Sequence, residues 1–276
     1  METVFNKLLV TSEKADTFPA ACGFIEFMVT RNKPLEVDFM FINDDLSHLN
    51  TQVKERVQEC INLMHSQNIM TEHSFRQGNF HRGIIDMAQY SGTDLIICGA
   101  ELVKGFRRFW NGSETYKLIK EAPCYVVSIQ KPMKRQSIKK IVLPIDTTQE
   151  TRQKVPAAMQ MAKLFDATIH VLGVSSSNSP DTLKTVKNYA EQAADFMRER
   201  DTKVEIDFLQ GTNLTDVTLQ YVDNIDADML MIMAVEEPNP YGMFEGSFPE
   251  QMILKSQVPV ISIKLREDLK VTYFAI

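Results

Sequence analysis

The sequence has no apolar run approaching the roughly 20 residues that cross a bilayer, so we expect no membrane span. It also has no excess of positive charge, because 30 Lys and Arg stand against 36 Asp and Glu, a net charge of -6. Nucleic acids and anionic membranes attract clustered cations, so we expect binding to neither. We interpret the locally basic stretch from Lys131 to Lys140 as a solvated linker.

Cysteine is scarce, and no two cysteines have the CxxC spacing of a metal or redox motif. The four cysteines are Cys22, Cys60, Cys98 and Cys124. No secretory signal precedes the first apolar run, which begins near Lys7. We therefore expect reduced thiols and a cytoplasmic location.

Familiar catalytic motifs are missing as well. The sequence contains no GxSxG, HExxH or GxxxxGK[ST]. Its five histidines are scattered, and none has the spacing from another ligand that a metal site requires. We predict neither a catalytic residue nor a metal site, and the motifs do not indicate an enzyme.

The chain repeats itself at a nearly constant offset of 133 or 134 positions. The matching features are a basic residue before an apolar run, a Gln-Gly pair, an Asp before an apolar run, and a Gly-Ser pair. They begin at Lys7 and Lys140, at Gln77 and Gln210, at Asp94 and Asp228, and at Gly112 and Gly246. Four features at one offset indicate two related domains.

Within each half, short apolar runs alternate with longer segments of helical period, which is typical of βα units around a parallel sheet. The predicted strands are 7–11, 35–42, 70–76, 94–99, 124–129, 141–145, 167–174, 203–209, 228–234 and 259–264. The predicted helices are 17–31, 48–67, 79–91, 112–121, 149–165, 180–200, 213–225 and 247–256. We predict two Rossmann-like, or flavodoxin-like, doubly wound α/β sheets in tandem.

The polar stretch after Pro132 marks the boundary between the domains, which we place at residues 1–130 and 137–266. Residues 267–276 form a C-terminal tail outside the repeat. Its run Val271–Phe274 is compatible with an extra edge strand or with a segment that docks a partner. We expect the tail to pack against the chain's own surface.

Several motifs, in the same order in both halves, resemble those of the universal stress protein family. The first strand of the second half, Lys140–Asp146, is similar to that family's [KR]-ILVP-x-D opening. Asp94–Ile96 and Asp228–Leu230 resemble its fourth strand, and Ala122–Val126 and Gln257–Val260 resemble the segment before its last strand. The resemblance covers nearly the whole chain. It implies an intramolecular pseudo-dimer in which 124–129 pairs with 259–264, and it leaves further homodimer formation open.

The resemblance also implies a phosphate-binding loop of the form G-x2-G-x9-G-[ST] after the fourth strand. Glycines let backbone N–H groups at a helix N-terminus approach phosphate closely. The first half supplies Gly99, Gly112 and Ser113 at the family's spacing, but Leu102 replaces the middle glycine.

The second half departs further from this loop. It keeps Gly246 and Ser247, while Met233 and Glu236 stand at the positions of the first two glycines. A carboxylate repels a triphosphate. The Gly-Ser pair is equally consistent with the start of the fourth helix, where Ser247 would act as a cap.

The acid that contacts the adenosine part in nucleotide-binding relatives corresponds to Asp146 in the second half and to Glu13 in the first. Three hypotheses follow. The first is a non-catalytic stress-response protein that acts through unidentified protein partners, with degenerate nucleotide-binding loops. The second is a sensor or slow ATPase that binds ATP through the first domain. The third is a protein that binds another small ligand beside Asp146.

Overall fold

Strands and helices alternate along the chain in the computed structural model, which describes residues 5–44, 50–100, 114–133, 137–148, 150–234 and 247–264. The strands are β1 (Lys7–Ser12), β2 (Glu36–Asn43), β3 (His73–Gln77), β4 (Leu95–Gly99), β5 (Tyr125–Ile129), β6 (Lys140–Ile145), β7 (Thr168–Ser175), β8 (Val204–Gln210), β9 (Met229–Met233) and β10 (Val260–Ile263). The helices are α1 (Phe18–Val29), α2 (Thr51–Ser66), α3 (Phe80–Ser91), α4 (Glu114–Glu121), α5 (Val155–Phe165), α6 (Pro180–Arg198), α7 (Leu214–Asn224) and α8 (Phe248–Lys255). No helix in this described part is long and apolar enough to cross a membrane.

The predicted α/β fold is confirmed, and every predicted strand and helix is present with bounds that differ by a few residues. The largest difference at a strand is at β3, which begins at His73 because Met70 forms only an isolated bridge with Glu36. Two helices follow short 3-10 turns, Ala15–Thr17 before α1 and Glu150–Lys154 before α5. The C-terminal tail, residues 267–276, lies outside the described residues, so its expected packing against the chain's own surface stays a prediction.

The chain divides into two compact units. The first contains Met1–Gln136 and Pro238–Ser262, and the second contains Ser137–Glu237 and Ile263–Ile276. The first unit therefore takes α8 and most of β10 from the second sequence repeat. The domain boundaries expected from the repeat stay a prediction.

The sheet of the first unit has the strand order β3-β2-β1-β4-β5-β10. Its first five strands are parallel, with β1 between β2 and β4. The burial of β1 and β4 is nearly complete, as expected of central strands covered by helices on both faces. The strand order reverses beside β1, so the carboxyl ends of β1 and β4 form the crevice where sheets of this kind bind ligands.

The last strands of the two repeats pair with each other in antiparallel fashion, as predicted. Val126, Val127 and Ser128 of β5 lie opposite Ser262, Ile261 and Val260 of β10. All six residues are buried.

The second unit repeats this arrangement with the strand order β9-β6-β7-β8, and all three pairings are parallel. Strands β6, β7 and β9 are almost fully buried, whereas β8 is largely half-buried or exposed. Phe208 of β8 lies over Gly173 of β7, where a Cβ atom would come within 2.5 Å of the ring. Glycine at this position therefore makes room for the aromatic ring.

Polar side chains set the starts of several helices. Asn50, Asn79 and Asn213 each accept a hydrogen bond from a backbone N–H group in the first turn of α2, α3 and α7. Such caps satisfy donors that a helix leaves free at its N-terminus. Gly92 ends α3 in the left-handed conformation, with a φ of 68°, which glycine adopts without strain.

Each repeat uses one aspartate carboxylate to hold the start of its first strand. The Oδ2 atom of Asp94 accepts hydrogen bonds from the backbone N–H groups of Asn6 and Lys7, at 2.8 and 3.0 Å. Asp228 does the same for Lys139 and Lys140, at 2.7 and 3.0 Å. The aspartate that marks the repeat in the sequence is therefore a structural residue that fixes the position of β1 and β6.

We expect Asp94→Ala and Asp228→Ala each to lower the free energy of unfolding by about 1–3 kcal/mol, because each leaves two strand amides without a charged acceptor. Urea unfolding followed by circular dichroism measures this loss. Asp223→Ala, at an exposed position of α7, is the matched control and should change stability by less than about 0.5 kcal/mol. Equal effects for all three variants would contradict this role.

Candidate functional site

The carboxyl ends of β1 and β4 in the first unit bring together two of the residues singled out in the sequence. Glu13 follows β1, and its backbone N–H lies 3.4 Å from the carbonyl oxygen of Gly99 at the end of β4. The carboxylate of Glu13 accepts a hydrogen bond of 2.9 Å from the hydroxyl of Thr115, in the first turn of α4. The acid is thus bound by the chain's own helix.

Position 99 requires glycine because the backbone at Thr17 and the side chain of Ser12 pack closely against it. A Cβ atom at this position would lie 2.4 Å from the carbonyl oxygen of Thr17 and 2.9 Å from the hydroxyl of Ser12. That hydroxyl also contacts the Thr17 hydroxyl at 2.6 Å and donates to the Gly99 carbonyl at 3.2 Å. The backbone of the 3-10 turn before α1 therefore packs directly against the first glycine of the loop.

Charge is concentrated at the same edge of the first unit. Glu114 forms contacts of 2.6 Å with both His81 and Lys117. Partial burial opposes the charged form of Glu114, but the hydrogen bonds from Lys117 and His81 outweigh it and lower the pKa of this carboxyl. The neighbouring Cys98 is fully buried, and burial together with the charge of Glu13 raises the pKa of its thiol. This cysteine stays protonated and unreactive.

The corresponding edge of the second unit is built around Asp146, directly after β6. Its Oδ1 atom accepts hydrogen bonds from the backbone N–H and the hydroxyl of Thr148, at 2.8 and 2.6 Å. This turn fixes one carboxylate oxygen.

A buried lysine, Lys154, lies near Asp146. Its ammonium group donates to the hydroxyl of Thr151 at 2.9 Å, and that hydroxyl donates to the carbonyl of Pro144 at 3.3 Å. The side chain is only 3% exposed. Burial lowers the pKa of Lys154 to about 8, and the charge of Asp146 opposes this shift. A buried cation beside a carboxylate at the carboxyl edge of a sheet is typical of a functional site.

Ser247 is found at the N-terminus of α8, as the sequence predicts, and α8 belongs to the first unit. Its hydroxyl accepts from the backbone N–H of Glu250 at 3.4 Å and contacts the hydroxyl of Tyr116 at 2.7 Å. Ser247 is therefore a helix cap, the alternative to phosphate binding that the sequence left open.

The structure gathers some of the expected site residues and leaves others undescribed. Glu13 and Gly99 meet in the first unit, and Asp146 lies at the equivalent edge of the second. Gly112, Ser113, Leu102, Glu236 and Gly246 lie outside the described residues. Met233, at the position of a family glycine, is the buried last residue of β9.

Sequence reasoning missed Thr115 and Lys154. Lys154 could have been found from helical periodicity, because it shares the spacing of the buried positions Val155, Ala158 and Met161. A charged residue on such a face is unusual enough to indicate a special environment. The signal for Thr115 was weaker, because only its position two residues after Ser113 connects it with the loop motif.

The described part of the chain contains no group of three or more His, Cys, Asp or Glu that could hold a metal ion. The features at the carboxyl edges are an acid after the first strand of each unit and, in the first unit, a glycine that ends the fourth. Together with the strand order, these place the protein among Rossmann-like α/β proteins.

Comparison with known proteins narrows this class. Residues 137–264 match the model of the universal stress protein family. A universal stress protein from Archaeoglobus fulgidus superimposes with a TM-score of 0.74 at 16% identity, covering 95% of this chain and 97% of that one. A putative universal stress protein from Pseudomonas aeruginosa gives a TM-score of 0.62 at 17% identity, covering 95% and 94%. No curated protein sequence matches the chain.

Residues 137–264, the second sequence repeat, therefore belong to the universal stress protein family. The two structural neighbours, which are covered over almost their whole length, fit a tandem arrangement of the fold.

We expect Lys154→Met to raise the free energy of unfolding at pH 7, by on the order of 3 kcal/mol, because it removes a buried charge. The unfolded chain holds this proton up to about pH 10.5, and the folded chain only up to about pH 8. The cost of burying the charge is therefore present in full below pH 8 and disappears as the pH rises from 8 to 10.5.

Urea unfolding of wild type and variant at pH 7 and pH 10.5 measures the difference. The advantage of Lys154→Met should shrink at the higher pH, while Lys184→Met, at an exposed position of α6, should show no such trend. A loss of stability in Lys154→Met at pH 7 would show that the lysine holds the turn together.

Proposed function

We propose that the protein is a non-catalytic, cytoplasmic stress-response protein that acts by binding protein partners, and that its nucleotide-binding loops are degenerate in both repeats. The cytoplasmic location is supported by the four free cysteines, which are stable as thiols in a reducing compartment. The observation that carries the loss of nucleotide binding is the close packing at Gly99.

A phosphate-binding glycine serves by leaving space for the ligand. The carbonyl group of Thr17 occupies the space beside Gly99, because a Cβ atom there would lie only 2.4 Å from the Thr17 carbonyl oxygen. A carbonyl oxygen carries partial negative charge and repels phosphate. The Glu13 carboxylate is in turn engaged by Thr115. Gly99 and Glu13, two of the residues that the family would use in the first repeat, therefore have structural partners.

The second repeat supports the same conclusion. The hydroxyl of Ser247, which would face phosphate in a binding member of the family, caps α8 and contacts Tyr116. The first family glycine is replaced by Met233, whose side chain is buried. We infer that this loop has changed from ligand recognition to packing.

Two neighbouring apolar side chains offer a surface for a partner in the first unit. Leu35 is 65% exposed and Met70 is 64% exposed. The backbone N–H of Met70 donates to the carbonyl of Leu35 at 3.1 Å, so the two side chains start from adjacent points at the edge of β2. Exposed apolar residues that are neighbours are more typical of an interaction surface than isolated ones.

Calorimetric titration of the nucleotide-stripped protein with ATP and Mg²⁺ tests the loss of binding. We expect no saturable heat for the wild type. The double variant Glu13→Asp/Leu102→Gly restores the family's acid and middle glycine, and any regained binding would show that these positions limit it. Saturable binding by the wild type near one site per chain, abolished in Gly112→Asp, would instead establish the nucleotide-sensor hypothesis.

The partner-binding part is tested by comparing the proteins that co-purify with the wild type and with Leu35→Glu/Met70→Glu. We expect specific partners to be lost from this variant and kept by Tyr90→Glu, which changes a 91% exposed side chain on α3. Identical sets of proteins from all three would contradict the proposed surface.

A second candidate function, binding of a different small ligand in the second unit, is favoured by the environment of Asp146. One carboxylate oxygen is fixed by Thr148, and the Lys154 ammonium lies buried nearby. Carboxylate and ammonium together suit a neutral ligand rich in hydroxyl groups, such as a nucleoside. Adenosine should then raise the melting temperature of the wild type and not of Asp146→Asn. An equal response of both proteins would contradict it.

A further inference from the structure

A second concave site lies in the second unit, at the opposite end of the sheet from Asp146. It is a cleft of about 720 Å³ between α5 and the C-terminal end of α6, next to the residues that lead into β7 and β8. This volume is in the range of small-molecule sites. The cleft is remote from the carboxyl ends of the strands, so the acid and loop residues discussed above do not contribute to it.

The floor of the cleft is apolar. Ala162 and Ala167 are buried there, and Met159 and Phe196 are partly exposed beside them. The small alanine side chains create the depth, while the methionine is flexible enough to adapt to a bound group. A ligand that fits this floor has an apolar body.

The rim of the cleft is charged, with a positive balance. Its lining contains three cations, Lys163, Arg200 and Lys203, and two carboxylates, Asp166 and Asp201. Asp166 is already bound by Lys203 at 2.7 Å and by Lys139 at 3.1 Å. These hydrogen bonds hold the pKa of Asp166 down at about 2. Its charge is thus balanced within the protein.

One rim cation is held in place over the apolar floor. The guanidinium of Arg200 lies 3.6 Å from the centre of the Phe196 ring, and it donates to the carbonyl of Phe196 at 2.9 Å. Glu199 lies 3.6 Å away and is mostly exposed. Stacking leaves the edge of a guanidinium open to an anion. Lys163 is exposed on the α5 side of the cleft.

We propose that this cleft binds an amphipathic organic monoanion, a medium-chain or aromatic carboxylate. The apolar body lies against Met159 and Phe196, and the acid group lies at the rim between Lys163 and Arg200. A nucleoside triphosphate is disfavoured because the net charge of the lining is only +1 and two carboxylates are present. The proposal is independent of the functions proposed above.

Displacement of 8-anilinonaphthalene-1-sulfonate fluorescence by decanoate tests the site, with decanol as the uncharged comparison. We expect decanoate to bind once per chain and decanol to bind much more weakly. Lys163→Gln and Arg200→Gln should each weaken decanoate binding about twofold to fivefold, the size expected for one partly exposed ion pair. Lys184→Gln, on an exposed part of α6, should leave it unchanged.

A steric variant gives a readout that does not depend on charge. Gln160 lines the cleft at an exposed position of α5, so Gln160→Trp fills it without disturbing the core. Loss of decanoate binding in this variant, with an unchanged melting temperature, supports the site. Equal binding of decanol and decanoate, or binding that none of these variants changes, would overturn the proposal.

Discussion

The carboxylates of Asp94 and Asp228 fix the starts of β1 and β6, the central strands around which each sheet is built. A central parallel strand has no tight turn to fix its register, and a slip of one residue would turn its buried side chains to the other face. Each aspartate accepts hydrogen bonds from the first amide of the strand beside it and from the amide just before that strand, so β1 aligns with β4 and β6 with β9. The acids at the far ends of these strands take their places from that alignment.

The fold could be predicted from the sequence because its signals are periodic and repeated. Apolar runs such as 229–233, separated by helical segments at one offset, leave few alternatives to a doubly wound sheet. The starts of elements were less predictable, since Met70 has a strand-like sequence but pairs at a single bridge. The 3-10 turns before α1 and α5 have no distinct pattern, because they arise from packing against the strand ends.

The sequence predicted where the candidate site residues lie in the fold, but it did not predict which groups surround them. Motif spacing placed Glu13, Gly99 and Asp146 at strand ends, where they are found. Their surroundings could not be inferred, because the fold brings the Thr115 hydroxyl to Glu13, the Thr17 carbonyl to Gly99 and the charge of Lys154 near Asp146. A motif shows which residue is present. Ligand binding also depends on whether the atoms of that residue already contact other parts of the protein.

The antiparallel pairing of β5 with β10 has a consequence for how this molecule evolves. In a symmetric homodimer, any substitution in the last strand appears on both sides of the two-fold axis, so each change must be compatible with its own copy. Here Val127 faces Ile261, and Ser128 faces Val260, so one side changes while the other is kept. Pairing within one chain therefore lets the two halves change separately. The second half keeps the family's acid, Asp146, but only the last glycine of the loop motif, whereas the first half keeps two of the three glycines and has the longer acid Glu13.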